Sequence, residues 1–462
     1  MNVGAPNIVG RVRSLLRRQA AVIYGMAGRL WLVLAGPVTI IFLAVYFTPD
    51  AQGYFVTFIY LAGARAVAEL GLGQVIIVKV AHLYSSTTKH DDAVAPRVAG
   101  FIRFTAKWFA CAGFVVGALL CLGGTALLGA GNGLPMAEWL LPWVALSWLV
   151  GIDVALSGLL YPLEGARLVE SVYFCRMMRS FVNSLVLWLS IVFGFQLWSI
   201  SIALFCNLVW TACFIFFRGK LVVAALRFDT AVVKIDWFSE VFPAQWRVAL
   251  SSFAEYVSLY TVVPLMYVMH GAVIAGQFGI TWQLALAVSS IAGAIVFTRF
   301  PEFSRLAGAR SIRELDSLLL STSLISMAIC LLGALGVGLI VLFLQETHLP
   351  IASRLLPFND VALILLGILI WHFNLAIVAY LRAHGGDPYL PASLTGATLL
   401  VVVNVTLGRW FGPAGLIWGY VITGACVMVP LGFYLVHRKR RARGYPSFKV
   451  EGNWATLAFK TR

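Results

Sequence analysis

Six residues in this chain are of types that apolar segments rarely carry. Arg29, Arg65, Glu69, Asp153, Glu255 and His372 each lie inside a run of apolar residues long enough to cross a membrane. A charge at the bilayer centre costs about 3 kcal/mol or more, so such a side chain pairs or faces a wet cavity instead of lipid. Counting about 1.5 Å per residue, Arg29 falls about 12 Å from the inner end of the first segment, and Glu255 about as deep in the seventh. Arg65 lies near the midplane of the second segment, with Glu69 one turn nearer the cytoplasm. Asp153 lies just on the cytoplasmic side of centre in the fourth.

Two chemistries fit this set. In one, the residues line a polar cavity: Arg29, Arg65 and His372 receive an anionic substrate group, while Glu69, Asp153 and Glu255 balance charge or couple an ion. In the other, Arg65–Glu69, four residues apart on one helix face, and Arg29–Glu255 are static pairs that hold helices together. His372, followed by Asn374, is either a substrate or proton ligand or a satisfied donor between helices.

The elements that must position these residues are helices. The chain has 462 residues, 61% hydrophobic and only 11% charged, whereas a soluble domain carries about a quarter charged residues. Apolar segments of spanning length lie at roughly 22–47, 53–82, 104–130, 139–162, 172–194, 197–217, 248–269, 272–298, 317–345, 360–382, 389–410 and 413–436, about twelve in all. If the N-terminus is cytoplasmic, 30 of the 34 Lys and Arg fall on the cytoplasmic side, Arg176 and Arg179 among them. Arg354 and Arg409 remain outside, and Arg29 and Arg65 within the membrane. The net charge of +15 is thus a topology signal, with both termini inside. It does not point to nucleic acid.

The longest cytoplasmic connection divides the spans six and six. The expected organisation is a basic lead over 1–21, a first six-helix bundle over 22–217, a linker over 218–246, a second bundle over 247–436 and a basic tail over 437–462. The halves resemble one another. Ala51-Gln52-Gly53-Tyr54-Phe55 opens the second segment and Ala275-Gly276-Gln277-Phe278 the eighth. Asn183 precedes Phe193-Gly194, and Asn404 precedes Phe411-Gly412. An even number of helices per half gives parallel repeats about an axis along the membrane normal, the plan of a transporter. Pro37 and Pro264 interrupt equivalent helices, where kinks would suit a bending gate.

Enzyme chemistry is not expected. The sequence has no Gly-rich phosphate loop ending in Gly-Lys-Ser/Thr, no HExxH and no nucleophile elbow. The seven cysteines lie in apolar segments without metal-type spacing and read as buried, space-filling thiols. No metal or other cofactor is implied, and coupling to a proton or sodium gradient is left open.

Phe47-Thr48-Pro49-Asp50-Ala51-Gln52-Gly53-Tyr54-Phe55, followed by Glu69-Leu70-Gly71-Leu72-Gly73, resembles the start of bacterial polysaccharide flippases. These are the O-antigen and exopolysaccharide exporters of the superfamily that also holds multidrug (MATE) exporters and the lipid II flippase. The resemblance implies a MATE-like pair of six-helix bundles in the bacterial inner membrane. It implies alternating-access transfer of polyprenyl-diphosphate-linked oligosaccharide, with membrane lipid and other polysaccharide-assembly proteins as partners. Arg29 and Arg65 would then meet diphosphate or acidic sugar. A cation-coupled drug or metabolite antiporter of the same fold is the alternative. The lipid II flippase itself is disfavoured, because it typically has two further helices.

Overall fold

Hydrocarbon offers a peptide group no water to bond, so an apolar run of about 20 residues closes its hydrogen bonds within itself as a helix. The computed structural model describes residues 8–69, 71–85, 94–131, 133–166, 168–227, 235–384 and 388–444, and among these there is no strand. In chain order the α-helices are α1 (Ile8–Tyr46), α2 (Pro49–Ala62), α3 (Arg65–Ala68), α4 (Leu72–Ser85), α5 (Val94–Leu119) and α6 (Thr125–Gly129). Next come α7 (Met136–Gly158), α8 (Leu160–Gly165), α9 (Val169–Val192), α10 (Trp198–Arg218), α11 (Lys220–Arg227) and α12 (Phe242–Tyr260). The last six are α13 (Val262–His270), α14 (Ala272–Ala309), α15 (Ile312–Glu346), α16 (Phe358–Ala383), α17 (Leu390–Ile422) and α18 (Val429–Ala442).

Eleven helical stretches among the described residues are long and apolar enough to cross a membrane. The last, Leu390–Ala442, has 53 residues. Gly412 breaks it at φ 67°, ψ −154°, just ahead of Pro413, so it holds two crossings. The protein is therefore a multi-pass, all-helical membrane protein of about twelve spans, and each expected segment has its counterpart. Pro37 lies inside an unbroken α1, whereas Pro264 follows the break between α12 and α13.

The second crossing departs from expectation. It was expected as one helix over 53–82 and is in three pieces, α2, α3 and α4. Thr48 begins it by accepting the Ala51 N–H at 3.2 Å, with Pro49 and Asp50 in the first turn. This is ordinary N-terminal chemistry and explains the Thr-Pro-Asp motif. α2 ends at Gly63, and Gly71 has φ +65°, a left-handed conformation that only glycine adopts without strain. The break exposes the segment carrying Arg65 and Glu69.

The helices group into two compact units. The first comprises Met1–Phe47, Ala64–Ala126 and Leu134–Ala249, the second Thr48–Gly63, Leu127–Gly133 and Leu250–Arg462. The expected bundles, 22–217 and 247–436, differ from this grouping, because α2 packs with α14. In the first unit α5 meets α7 backbone to backbone: a Cβ on Gly113 would stand 2.2 Å from the Gly151 carbonyl oxygen. α1 lies along α9, with Gly25 on the Tyr173 ring, Gly28 on Met177 and Trp31 stacked 4.2 Å from Phe181. The 218–246 connection folds back on α5, since Arg97 pairs with Glu240 at 2.8 Å and Arg103 donates to the Ala225 carbonyl at 2.7 Å. Residues 228–234 of that linker lie outside the described residues.

In the second unit, α2 and α14 approach so closely that a Cβ on Gly53 would stand 2.0 Å from the Ala272 carbonyl oxygen. A Cβ on Gly276 would stand 2.9 Å from the Gly53 Cα. Gln52 and Gln277 both donate to one turn, to the Arg354 carbonyl at 3.3 Å and the Ser353 carbonyl at 2.8 Å. Cys175 and Cys330 are buried, as expected for space-filling thiols. Cys111, Cys213 and Cys426 are instead exposed on outward faces of their helices, where a small apolar side chain can face lipid.

Candidate functional site

The first unit gathers charge around one carboxylate. Asp153 on α7 is 2% exposed and is held by two arginines. Arg65 on α3 binds its Oδ2 at 2.9 Å. Arg179 on α9 binds its Oδ1 through Nη2, and its Nη1 donates to Ser157 Oγ at 2.9 Å. Ser157, one turn on from Asp153, also lies 3.4 Å from Asp153 Oδ1. A buried carboxylate persists only when its lone pairs are engaged and its charge is matched, and here both conditions hold twice over.

A second layer continues along the same helices. Tyr161 donates its hydroxyl proton to Glu69 Oε2 at 2.7 Å. Arg176 pairs with Glu164 at 2.9 Å, and its guanidinium lies 5.8 Å from the Tyr161 ring centroid and 5.4 Å from that of Tyr173. Periodicity explains the arrangement. Asp153 and Ser157 are four apart on α7, and Arg176 and Arg179 three apart on α9, so each pair shares one helix face, while Tyr161 follows on α8.

The balance of charge around Asp153 is uneven. Two guanidiniums share the Asp153 carboxylate, so the excess positive charge is local to Asp153. Glu69, held by the Tyr161 hydroxyl and by no ion pair among the described residues, balances it across the cluster as a whole. Arg179 is enclosed, with 14% of its side chain exposed, whereas Arg65 is 54% exposed. Arg179 therefore neutralises the buried acid, and Arg65 can offer its remaining N–H groups to an incoming anion. Counted along α9, Arg179 lies about 15 Å from the helix start, mid-depth in a hydrocarbon core about 30 Å thick.

The structure thus unites Arg65, Glu69 and Asp153 but not as an Arg65–Glu69 pair. The break after Gly63 puts Arg65 on Asp153, and Glu69 turns to Tyr161. Arg29 is exposed on α1, one residue beyond the Gly28–Met177 contact. Glu255 is exposed on α12 and belongs to the second unit. Among the described residues neither makes an ion pair inside its own unit, and the two lie in different units. Arg176 and Arg179, counted from sequence on the cytoplasmic side, lie within α9. Arg167 lies outside the described residues.

His372, also in the second unit, is buried on α16 with both ring nitrogens engaged. Nδ1 lies 2.9 Å from Ser289 Oγ and Nε2 2.7 Å from Ser326 Oγ. The Ser326 hydroxyl donates to the Ala292 carbonyl at 2.8 Å, so it can only accept from Nε2–H. Ser289 then donates to Nδ1. A neutral ring satisfies this three-helix network, which accounts for a polar residue there without a ligand. Among the described residues no group of three His, Cys, Asp or Glu could hold a metal ion.

Neither a protein-family model nor a curated protein matches the sequence. Solved structures do resemble the fold. One is a multidrug resistance MATE family transporter of the MOP superfamily in its inward-facing conformation. It is 14% identical over 92% of this chain and 98% of that one, with a TM-score of 0.66. A second is the lipid II flippase MurJ in an inward closed conformation, 14% identical over 92% of this chain and 88% of that one, with a TM-score of 0.64. A Vibrio cholerae MATE transporter is 16% identical over 93% and 98%, with a TM-score of 0.55. The chain has the MATE-type membrane-transporter fold.

Proposed function

We propose that this protein is a flippase that moves polyprenyl-diphosphate-linked oligosaccharide across the bacterial cytoplasmic membrane by alternating access, serving surface polysaccharide assembly. The observation that carries this reading is the half-exposed Arg65, anchored on a buried Asp153 that Arg179 already neutralises. A diphosphate cannot cross hydrocarbon unaided, since an isolated ion pays tens of kcal/mol there. A guanidinium held at mid-depth, with free donors in a planar fork, matches phosphate geometry and offsets that cost. Arg29, exposed on the helix packed beside α9, is assigned to the same anionic cargo. The fold supports transport, and both a lipid-linked flippase and drug exporters are known to use it.

Glu69 and Glu255 are the candidates for coupling to a proton or sodium gradient. Glu255, exposed and without an ion pair among the described residues of its own unit, is also the feature that favours the alternative, a cation-coupled drug or metabolite antiporter. Deleting the gene separates the two. The flippase reading expects lipid-linked oligosaccharide to accumulate on the cytoplasmic leaflet with loss of surface polymer. Unchanged surface glycan with altered drug sensitivity would overturn it in favour of the antiporter.

A further inference from the structure

The C-terminal ends of three helices in the second unit converge on a concavity that the transport reading does not use. α14, at 38 residues, is about 57 Å long and outruns a hydrocarbon core of about 30 Å. By the charge bias its C-terminal end projects on the cytoplasmic side. There Ser304, Gly308 and Arg310 from the α14 end, His384 after α16, and Ala442 and Arg443 at the α18 end line a cavity of about 690 Å³. That volume is in the range of small-ligand sites, about 300–1,000 Å³.

Two features of its arginines go beyond a positively charged face. Arg310 sits at φ 56°, ψ 26°, in the left-handed position that ends α14. Its backbone N–H and that of Ser311 both bond to the Leu306 carbonyl, the latter at 3.1 Å. Glycine is the usual residue there, and a side chain with a Cβ is held at a cost of about 1 kcal/mol. Nothing in the turn needs the guanidinium, and Arg310 makes no ion pair among the described residues. Arg443 has one edge fixed by donating to the His384 carbonyl at 2.9 Å, which leaves its other donors free. Arg440, by contrast, is buried and matched by Asp316 at 2.5 Å. Among the described residues the charged side chains lining the cavity are therefore Arg310 and Arg443, with Lys439 near His384 and Asp316 taken by Arg440.

We infer that this cavity is a second anion site, which binds a phosphate group between Arg310 and Arg443 at the cytoplasmic surface. Two sources carry that chemistry: the headgroup of an anionic lipid and a soluble diphosphate. Paired guanidiniums hold phosphate by charge-assisted, bidentate hydrogen bonds. The site lies where helix ends leave the membrane and basic residues meet the anionic leaflet.

Arg310→Gly is the decisive variant, because glycine suits the left-handed turn and the fold keeps or gains stability. The full chain is placed in phosphatidylcholine nanodiscs and titrated with pyrophosphate, and separately in nanodiscs containing phosphatidylglycerol. The thermal midpoint and the bound phosphate or lipid are read. Stabilisation of the parent by pyrophosphate in neutral discs identifies a soluble ligand, and stabilisation by phosphatidylglycerol alone identifies a lipid. In either case the proposal expects binding about tenfold or more weaker in Arg310→Gly, from loss of charged hydrogen bonds. Arg310→Lys should lose less. Arg65→Ala should keep the effect, which separates this site from the one at Asp153. If neither probe stabilises the parent more than Arg310→Gly, there is no anion site here.

Discussion

Arg65 and Arg179 bind the same carboxylate, yet their removal should have opposite consequences. Arg65→Ala deletes a partner whose side chain is 54% exposed, and Arg179 still neutralises Asp153. An exposed ion pair contributes about 0–1 kcal/mol, so Arg65→Ala should insert and fold with a near-parental unfolding midpoint. Arg179→Ala deletes the enclosed partner, which also satisfies Ser157, and breaking a buried pair costs about 3–5 kcal/mol. Asp153→Leu should cost as much, because it strands the Arg179 cation among apolar helices. Replacing both, as Asp153→Leu with Arg179→Leu, removes the uncompensated charge and should recover most of the loss. Unfolding midpoints of purified protein in nanodiscs give the order of stability, and surface polysaccharide in cells gives function. Arg65→Ala should be stable but inactive, Arg65→Lys partly active, and the double variant stable and inactive. If Arg65→Ala unfolds as readily as Arg179→Ala, the division into an anchoring and an offering arginine is wrong. Full polysaccharide export by Arg65→Ala would remove Arg65 from the transport path.

Other consequences are independent of that cluster. Gly53→Ala should destabilise the protein by about 2 kcal/mol or more, the cost of strain in a packed core, because its Cβ would stand 2.0 Å from the Ala272 carbonyl oxygen. Gly36→Ala, with nothing within 4 Å of its Cβ, should be neutral or gain up to about 1 kcal/mol from helix propensity, and unfolding midpoints compare the two. His384 lies beyond the end of α16, and its pKa is lowered below the usual 6.5, chiefly by burial and then by Arg443, Lys439 and Arg440. Its Nδ1 is 2.8 Å from the Tyr380 carbonyl. Below pH 6.5 the unfolded chain takes up this proton before the folded one, so stability should fall as pH drops from 6.5 through the folded pKa. His384→Gln should flatten that part of the stability-versus-pH curve, and an unchanged slope would assign the dependence to other groups.

The crossings were legible because hydropathy and length alone decide them, down to the paired last spans on either side of Gly412. The break in the second crossing was not. Gly63, Gly71 and Gly73 were visible, but a glycine inside an apolar run also serves close helix packing, and only the φ of +65° at Gly71 separates the two uses. The partner of Arg65 was hidden for the same reason. Spacing of four leaves Glu69 one turn from Arg65 along α3, but the separation of α3 from α2 sets the helix against α7, where the acid that Arg65 pairs with is 88 residues away. Arg176 and Arg179 carried a usable signal, since both fall inside the apolar segment 172–194 and three residues apart. Counting them on the cytoplasmic side by charge, instead of by position within the span, concealed the buried half of the site.

The duplicated sequence signature has a structural use that composition could not reveal. Gly53 and Gly276 begin equivalent segments, and the structure packs them on one another, each removing the Cβ that would collide with the other helix. Gln52 and Gln277, their neighbours, both clamp the turn at Ser353 and Arg354. The same logic recurs with the asparagines. Asn183 on α9 accepts from Asn207 of α10 at 2.9 Å, while in the other repeat Asn404 lies against Gly419, where a Cβ would stand 2.3 Å from its Oδ1. One repeat meets the asparagine with an amide, the other with an absent side chain. The recurring residues therefore sit at tight helix contacts. The charges follow no such match among the described residues: the Asp153 cluster lies in the first unit, and His372 with its two serines in the second.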